Sequence, residues 1–270
     1  MASKWFDEET AARYERFEFD FPRETLRGRV IALAGGSGGL GAATAALLAS
    51  EGAELVIGYR SDEERAVRLA KALEGSPGKI RLARGDLDSD QGRAALLDAA
   101  GDLYGLVVLA GDPARGADEA TLRRSFEANF VGPTLLARAA AERMRANGVR
   151  GAIVLLSSMQ GRYPFENSTA YAAAKAALEH AARVLAKESG GAADIRVNVV
   201  APGATLAGMA QASVRSGKYD PFVEGGVAPR FGRAEDVARA VRFFLEPDNY
   251  VTGQVLTVDG GLTLRRDQLR

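Results

Sequence analysis

Residues 29–41 read RVIALAGGSGGLG, and the architecture can be worked out from this stretch. Residues 29–34 form an aliphatic run typical of a buried β-strand, and they lead directly into five glycines within seven residues. Residues 40–50 follow with the apolar period of a helix, and Gly52 lies just beyond as a C-terminal stop. A strand that passes through a glycine turn into a helix is half of a β-α-β unit, so the stretch predicts an α/β protein.

The same alternation continues along the chain. The predicted strands are 29–34, 54–58, 79–83, 106–110, 152–156, 195–200 and 254–258. The predicted helices are 40–50, 62–73 with Ser61 as N-cap, 89–100, 119–147 with a break near Gly132-Pro133, 169–188 and 234–245. Alternation of this kind gives parallel strands with helices on both faces, and the right-handed crossover rule favours a doubly wound sheet. We therefore predict a single-domain, doubly wound (Rossmann) α/β fold.

The length and the charge balance of the chain limit the classes of protein to which it can belong. Its 270 residues suffice for one large domain, which we divide into an N-terminal extension (1–28), a Rossmann-type catalytic domain (29–262) and a C-terminal tail (263–270). The 35 basic residues balance the 35 acidic ones, so nothing draws the whole chain to nucleic acid or to an anionic membrane. The apolar runs are too short to cross a bilayer. We expect neither a nucleic-acid partner nor a membrane partner.

Cysteine is absent, which excludes disulfides, thiolate metal sites and cysteine nucleophiles. No cluster of histidine and acidic residues has the spacing of a metal site, so no metal is expected. The N-terminus lacks the apolar core of a signal peptide. These features lead us to expect a cytoplasmic protein.

The glycine turn predicts a phosphate site. Glycine has no Cβ, so its backbone N–H groups can approach a pyrophosphate, and a helix N-terminus adds partial positive charge. The residues concerned are Gly35, Ser37, Gly38, Gly39, Leu40 and Gly41. Their GxxxGxG spacing differs from the GxGxxG of other dinucleotide folds. A flexible loop without a ligand is the alternative, and the flanking strand and helix count against it.

The end of the second strand indicates which dinucleotide is bound. NAD-binding folds hold the ribose 2′-hydroxyl with a carboxylate about 20 residues after the glycines. This sequence has Tyr59, Arg60 and Ser61 there, and an arginine can bind a 2′-phosphate. NADP(H) is therefore favoured over NAD(H), with a solvated surface arginine as the alternative. Asp86, after the third strand, either accepts a bond from the adenine amino group or caps the next turn.

A tyrosine and a lysine form the candidate reaction centre. Tyr171 and Lys175 are four residues apart on one predicted helix, which puts both side chains on one face. A neighbouring ammonium lowers the pKa of a phenol, which can then exchange a proton with a carbonyl or alcohol oxygen as hydride moves. Ser158 ends a buried strand and can hydrogen-bond the same oxygen, and Asn129 lies on the preceding helix.

These motifs together resemble those of the short-chain dehydrogenases/reductases over roughly residues 28–262. The segment Ala34-Gly35-xxx-Gly39-x-Gly41 is similar to the TGxxxGxG of that family, and Asn198-xxx-Pro202-Gly203 is similar to its NxxxPG. Residues 252–261 resemble the C-terminal strand signature. Residues 58–64 further resemble 3-oxoacyl-carrier-protein reductases.

The resemblance implies roles for individual residues. Tyr171 would be the general acid/base, Lys175 would bind the nicotinamide ribose and depress the pKa of the tyrosine, and Ser158 would polarise the carbonyl. Asn129 would hold a helix kink and an ordered water. The cofactor site extends to residues shared with the family motifs, which are Asp86, Leu87, Ala110, Gly111, Tyr171, Lys175, Pro202, Gly203 and Thr205.

Two departures from the family pattern affect the expected cofactor site. The NNAG of the family is replaced by residues 108–111, VLAG, so altered local bonding and weaker cofactor affinity are expected. The threonine that usually follows the proline-glycine pair is Ala207, and Thr205 can take its place.

The resemblance implies an NADP(H)-dependent oxidoreductase that interconverts a small-molecule carbonyl and alcohol, such as a ketone or β-ketoacyl substrate. The alternatives are an NAD-dependent alcohol dehydrogenase and a non-catalytic nucleotide-sensing protein. Substrate choice is expected from residues 160–169 and 204–229, and a homo-tetramer or dimer from the two long helices.

Several conspicuous residues are left without a role in catalysis. His180, the only histidine, is expected to face away from the catalytic side of its helix, and Ser157 is expected to be structural. The aromatic residues of the N-terminal extension could anchor that arm on this subunit or a neighbour; they are Trp5, Phe6, Tyr14, Phe17, Phe19 and Phe21.

Overall fold

The computed structural model describes residues 25–265. Its centre is a parallel sheet of seven strands in the order β3-β2-β1-β4-β5-β6-β7. The strands are β1 (Val30–Ala34), β2 (Glu54–Tyr59), β3 (Ile80–Arg84), β4 (Leu103–Val108), β5 (Ala152–Leu156), β6 (Arg196–Pro202) and β7 (Val255–Val258). The predicted parallel α/β sheet is confirmed. The aromatic residues named in the N-terminal extension lie outside the described residues.

Helices connect the strands. They are α1 (Gly39–Ser50), α2 (Glu63–Ala72), α3 (Asp90–Ala100), α4 (Glu119–Phe126), α5 (Gly132–Ala146), α6 (Thr169–Ser189), α7 (Gln211–Arg215), α8 (Asp220–Glu224), α9 (Ala234–Leu245) and α10 (Leu262–Arg265). Short 3₁₀ turns occupy Met159–Gly161, Gly191–Ala193 and Gly208–Ala210. Within residues 25–265, no helix combines the length and the hydropathy that a bilayer span requires.

Two apolar cores hold the helices on opposite faces of the sheet. Side chains of α3, α5 and α6 pack on one face, and side chains of α1 and α9 pack on the other. The strands between them, such as AIVLL in β5, are buried along their whole length, as parallel strands covered on both sides must be. Leu26, which precedes β1, is also fully buried in the second core.

The strand order places the ligand-binding edge. The chain winds outward from β1 to β3 and then returns to β4 beside β1, so the order reverses at the β1–β4 pair. Open α/β sheets bind ligands at the carboxyl ends of the strands around such a reversal. The glycine turn, Arg60, Asp86, Gly111, Ser158 and Gly203 all follow the carboxyl ends of successive strands.

The structure corrects two predicted boundaries. The fourth strand is Leu103–Val108 and not 106–110, because the N–H groups of Leu109 and Ala110 both donate to the Ala34 carbonyl and the chain leaves the sheet there. The N-cap of α2 is Asp62 and not Ser61, because the Asp62 carboxylate accepts a hydrogen bond of 2.9 Å from the Arg65 N–H. A carboxylate at this position also interacts favourably with the helix dipole.

The break predicted near Gly132-Pro133 is a turn of π-helix. Residues Glu127–Val131 form this π segment between α4 and α5. Pro133 has no N–H to donate to the carbonyl four residues earlier, and that carbonyl belongs to Asn129. The missing donor loosens the α-helical register at the place where Asn129 enters the interior.

Candidate active site

The glycine turn forms a close-fitting cradle after β1. Gly35 has a φ of +76°, and a Cβ added there would lie 2.8 Å from the Ala110 nitrogen. A Cβ at Gly41 would lie 2.6 Å from the Gly36 carbonyl oxygen. Helix α1 begins after Gly38 without a side-chain cap, which leaves its first N–H groups available to an anion.

A cavity of about 300 Å³ opens beside this cradle. Ten residues predicted for the cofactor line it, namely Gly35, Ser37, Gly38, Tyr59, Arg60, Ser61, Asp86, Leu87, Ala110 and Gly111. Its walls are the turns that follow β1, β2, β3 and β4. The predicted residues Gly39, Leu40 and Gly41 lie behind the turn at the start of α1, where Gly39 and Leu40 pack against Gly208.

Charged groups surround one end of this cavity. Arg60 and Arg65 line it together, and within residues 25–265 neither guanidinium forms an ion pair. Asp62 and Asp88 line the same wall. Burial raises the pKa of the Asp88 carboxyl, with the Asp86 carboxylate adding to the rise and the Arg60 guanidinium opposing it. The sequence-based prediction did not include Arg65 and Asp88, because their place in the wall depends on how α2 and the β3 turn fold together.

Asp86 has the turn-capping role that was one of its two predicted alternatives. Its Oδ1 accepts a hydrogen bond of 3.2 Å from the Asp88 N–H. The side chain also lines the cavity, so contact with a ligand there is compatible with the cap.

A second cavity, of about 420 Å³, contains the predicted reaction centre. Ser158 and Tyr171 line it beside Gly203, and residues of the segment 204–219 form another part of its lining. The hydroxyl of Tyr171 is within electrostatic range of the side chain of Ser158, which follows β5 and caps the 3₁₀ turn Met159–Gly161. The tyrosine and the serine predicted to act on one oxygen are therefore adjacent.

The pKa of Tyr171 is shifted opposite to the expectation. Burial raises it to about 12, and the Ser158 side chain opposes the rise. Nζ of Lys175 donates a hydrogen bond of 2.8 Å to the Leu156 carbonyl and lies 5.7 Å from the centroid of the tyrosine ring. The phenol is protonated at neutral pH and can donate a hydrogen bond to a carbonyl oxygen, but the raised pKa makes it a weaker acid than a free tyrosine.

Lys175 and Gly111 lie between the two cavities. Lys175 is only 2% exposed, and burial lowers the pKa of its ammonium to about 8. A Cβ added at Gly111 would lie 3.5 Å from Nζ of Lys175 and 3.6 Å from Cε of Met209. Gly111 lines the first cavity and Met209 lines the second. The ammonium therefore lies where the phosphate cradle and the tyrosine site meet.

Asn129 fixes the loop that follows β4. Its Nδ2 donates to the Asp112 carbonyl at 2.8 Å, and its Oδ1 accepts from the Asp112 N–H at 3.1 Å. The side chain is fully buried in the π segment, where Nδ2 also contacts Ser125 Oγ at 3.3 Å. The predicted irregular helix at Asn129 is confirmed, and the bonds to Asp112 explain how the loop is held although the family's two asparagines are absent.

Some predicted residues contribute in other ways. Ser157 is buried and donates to Glu179 at 2.7 Å, which confirms its structural role, and His180 is exposed on the outside of α6.

Thr205 lines neither cavity, and its hydroxyl donates to the Ala207 carbonyl at 3.0 Å. The predicted replacement of the missing threonine by Thr205 is not supported by this geometry, because its proton is already used within its own loop. Pro202 ends β6 outside both cavities.

The second cavity also contains residues that the sequence did not single out. Tyr219 is 5% exposed, and its hydroxyl is within electrostatic range of the Gln160 side chain. Arg115 and Lys218 line the same cavity. Gln160, Lys218 and Tyr219 fall within segments predicted to select the substrate, whereas the loop that carries Arg115 had no recognisable motif.

The two neighbouring cavities fit a dinucleotide. The glycines of the turn let the backbone pack closely where α1 begins with uncapped N–H groups, the arginines can meet a negatively charged group, and Gly111 lies between the first cavity and Lys175. These features lie on the described residues and do not depend on any motif.

Comparison with known proteins agrees with this geometry. The family whose sequence model matches residues 34–263 is described as enoyl-(acyl carrier protein) reductase. The cis-4-hydroxycyclohexanecarboxylate dehydrogenase of Sinomonas cyclohexanicum is 37% identical over 254 residues, which cover 89% of this chain and 98% of that protein. The 3beta-hydroxysteroid dehydrogenase 1 of Eggerthella lenta is 32% identical, with coverage of 89% and 96%.

Solved structures give the same result. A 7 alpha-hydroxysteroid dehydrogenase complexed with NADH and 7-oxo glycochenodeoxycholic acid superimposes with a TM-score of 0.82 at 29% identity. The match covers 90% of this chain and 97% of that one. The fold, the matched length and the relatives agree: the chain belongs to the short-chain dehydrogenase/reductase family, whose members are oxidoreductases that use NAD(P)(H).

Proposed function

We propose that this chain is an NADP(H)-dependent oxidoreductase that interconverts a carbonyl and an alcohol, with Tyr171 as general acid/base. The observation that carries the proposal is the junction at Gly111. There the buried ammonium of Lys175 lies next to the wall of the phosphate cavity, and Tyr171 and Ser158 line the adjoining one. Hydride donor and proton donor can therefore reach one carbonyl from neighbouring cavities.

The nicotinamide, when bound, supplies or accepts the hydride. The protein supplies the proton and the orientation. Tyr171 is protonated at neutral pH, as any phenol is, and it can transfer that proton as negative charge develops on the carbonyl oxygen. Ser158 can donate to the same oxygen and fix its position. Lys175 presents positive charge beside Gly111 and is available to hold ribose hydroxyls.

Arg60 and Arg65 support the preference for NADP(H). Both guanidiniums line the far end of the phosphate cavity, and a 2′-phosphate there would receive charge-assisted hydrogen bonds. NAD-dependent alcohol oxidation is the alternative. It is favoured by the carboxylates of Asp62 and Asp88 in the same wall and by the NADH bound to the bile-acid relative. The Asp62 carboxylate already caps α2, which weakens that alternative.

The remaining proposals concern assembly and location. Leu135 on α5 and Val184 on α6 are 42% and 44% exposed, which supports association of the long helices in a homo-tetramer or dimer. We place the protein in the cytoplasm, in keeping with the absence of cysteine. The proposed substrate is a small molecule.

Replacing Tyr171 by phenylalanine tests the proposed chemistry. The variant keeps the ring and removes the proton that is transferred, so we expect turnover of a carbonyl panel with NADPH to fall by about 10²- to 10⁴-fold. The decline is followed by the absorbance of the reduced nicotinamide. NADPH affinity, measured by fluorescence, should stay within about twofold, because the phenol oxygen is not needed to hold the phosphates.

Tyr250→Phe is the matched control, because Tyr250 is fully exposed and lies outside both cavities. It should turn over substrate as the parent does. A Tyr171→Phe protein as active as the parent would remove the proton-transfer role. A parent that oxidises no NADPH or NADH with any carbonyl in the panel would favour the non-catalytic nucleotide-sensing alternative.

A further inference from the structure

The substrate cavity has an apolar wall and a charged end. Met159, Phe165, Ala204 and Met209 supply apolar surface close to Tyr171. A cavity of about 420 Å³ is at the small end of the range for ligand sites, so it fits a compact substrate with an apolar frame.

The charged end carries an excess of positive charge. Arg115 comes from the loop after β4, and Lys218 comes from the segment between α7 and α8. Glu166 is the only acidic side chain that lines this cavity among the described residues. Two cations therefore face one carboxylate. Within residues 25–265 neither Arg115 nor Lys218 forms an ion pair, so their charges are not already neutralised by the protein.

The two cations are positioned by the loops that carry them. Nη2 of Arg115 lies 3.4 Å from the hydroxyl of Ser213, which joins the β4 loop to the segment above the cavity. Nζ of Lys218 lies 5.7 Å from the centroid of the Tyr219 ring. Tyr219 is buried and lies within electrostatic range of Gln160, Tyr171 and Arg115. Tyr219 is thus a buried residue that interacts with both the reaction centre and the cationic end of the cavity.

We propose that the substrate carries a carboxylate, which Arg115 and Lys218 bind while its carbonyl faces Tyr171 and Ser158. This proposal rests on the proposed function and specifies its substrate class. A carboxylate accepts charge-assisted hydrogen bonds from both cations, and the apolar wall receives the frame between the two groups. Both side chains are exposed, so a neutral substrate would leave them solvated and gain nothing from their charge, whereas a cationic substrate would meet net repulsion.

Matched pairs of ketones test the proposal. The pairs are 4-oxocyclohexanecarboxylate with 4-oxocyclohexanecarboxamide, and open-chain 4-oxo and 5-oxo acids with their amides. Each amide keeps the shape of its acid and removes the charge. We expect the parent to prefer the acid by about tenfold in kcat/KM, chiefly through KM, with a preference that weakens as salt is added.

The variants Arg115→Gln and Lys218→Gln test whether these two side chains cause the preference for the acid. Each should lower the acid-to-amide ratio of kcat/KM by about fivefold, and the double variant should remove the preference. Arg215→Gln is the matched control, because Arg215 is an exposed arginine of α7 that does not line the cavity. It changes net charge equally and should leave the ratio unchanged.

Binding provides a readout that needs no turnover. With NADP⁺ saturating, cyclohexanecarboxylate should raise the melting temperature of the parent more than cyclohexanecarboxamide, and the double variant should lose the difference. The proposal is overturned if the parent uses acids and amides equally, if the Arg215 control changes the ratio as much as Arg115→Gln, or if only neutral ketones are reduced. Failure to reduce any ketone at all would instead overturn the proposed function.

Discussion

Lys175 carries a positive charge in the interior. Its side chain is 2% exposed, and its Nζ donates to the Leu156 carbonyl. Burial lowers the pKa of the ammonium from 10.5 to about 8. At pH 7 the group still holds its proton, because 7 is below 8. The protein therefore maintains a desolvated charge beside Gly111, which is useful to a bound ribose and unfavourable to folding.

We expect Lys175→Met to be more stable than the parent at pH 7 and to lose turnover. Between pH 8 and 10.5 an unfolded lysine holds a proton that the folded one has released, so the stability of the parent rises with pH in that window. Below it, the full cost of roughly 3 kcal/mol is present. The variant avoids this cost but leaves the Leu156 carbonyl without a donor, for a net gain of about 1–2 kcal/mol. Urea unfolding at pH 7, 8.5 and 10 measures the difference.

The advantage of the variant should shrink toward pH 10, where the parent has lost the charge. Lys187→Met on the same helix is the control, since Lys187 is exposed and its replacement should change stability little at any of these pH values. A difference between Lys175→Met and the parent that stays constant from pH 7 to 10 would contradict the buried-charge explanation.

The π segment Glu127–Val131 acts at the scale of a single element. It turns Asn129 inward, and the side chain then bonds both backbone groups of Asp112. That contact holds the turn after β4, where Gly111 and Ala110 form the wall of the phosphate cavity. A local irregularity in one helix therefore determines the position of a loop that belongs to a strand.

We expect Asn129→Ala to lower the free energy of unfolding by about 1–3 kcal/mol, because two part-buried backbone groups of Asp112 lose their partners. NADP(H) affinity should fall with it, since the loop at Gly111 is no longer held. Urea unfolding and fluorescence titration measure the two effects. Asn147→Ala is the control: Asn147 is exposed and bonds Asp102 at 3.1 Å, so its loss should cost about 0.5 kcal/mol or less. Equal losses in the two variants would contradict the role of the π segment.

The elements differ in how far the sequence predicts them. The bounds of β5 and α9 are those predicted, because their apolar patterns are continuous and their neighbours lie in the same βα units. The π segment could be predicted only as a break, since Pro133 removes a donor but does not say which register replaces it. The bond from Asn129 to Asp112 spans 17 residues and depends on how the helix meets the β4 turn.

The residues of the candidate site differ in the same way: those within one element could be predicted from the sequence, and those that the fold brings together could not. Glycine spacing and the Tyr171–Lys175 pair lie within single elements, and both groups were predicted as neighbours of one site. The pKa of Tyr171 is raised and not lowered as expected, because burial of the phenol is the largest influence on it and helical spacing does not reveal that burial. Arg115 and Arg65 could not be found from spacing, since loops distant in the chain bring them to the cavities.

At the scale of the whole molecule, the phosphate cavity connects parts that otherwise pack separately. Its walls are the turns after β1, β2, β3 and β4, and these strands belong to both apolar cores. A ligand that binds there contacts turns on both sides of the reversal in strand order. Ligand binding should therefore raise the free energy of unfolding of the whole molecule and not of one part of it.

We expect NADP⁺ to raise the melting temperature more than NAD⁺ at equal concentration. A ligand present at 100 times its Kd stabilises the folded state by about 2.7 kcal/mol, which for a chain of this size corresponds to roughly 5–10 °C. Arg60→Asp should reverse the order of the two cofactors, because a carboxylate repels the 2′-phosphate and can accept a bond from the 2′-hydroxyl. Arg68→Asp is the control, since Arg68 lies on α2, outside the cavity, and pairs with Glu64 at 3.4 Å. Two results would contradict this prediction: a parent stabilised more by NAD⁺, or an Arg60→Asp protein that still prefers NADP⁺. Either would indicate that the cavity beside Arg60 binds a ribose hydroxyl and not the 2′-phosphate.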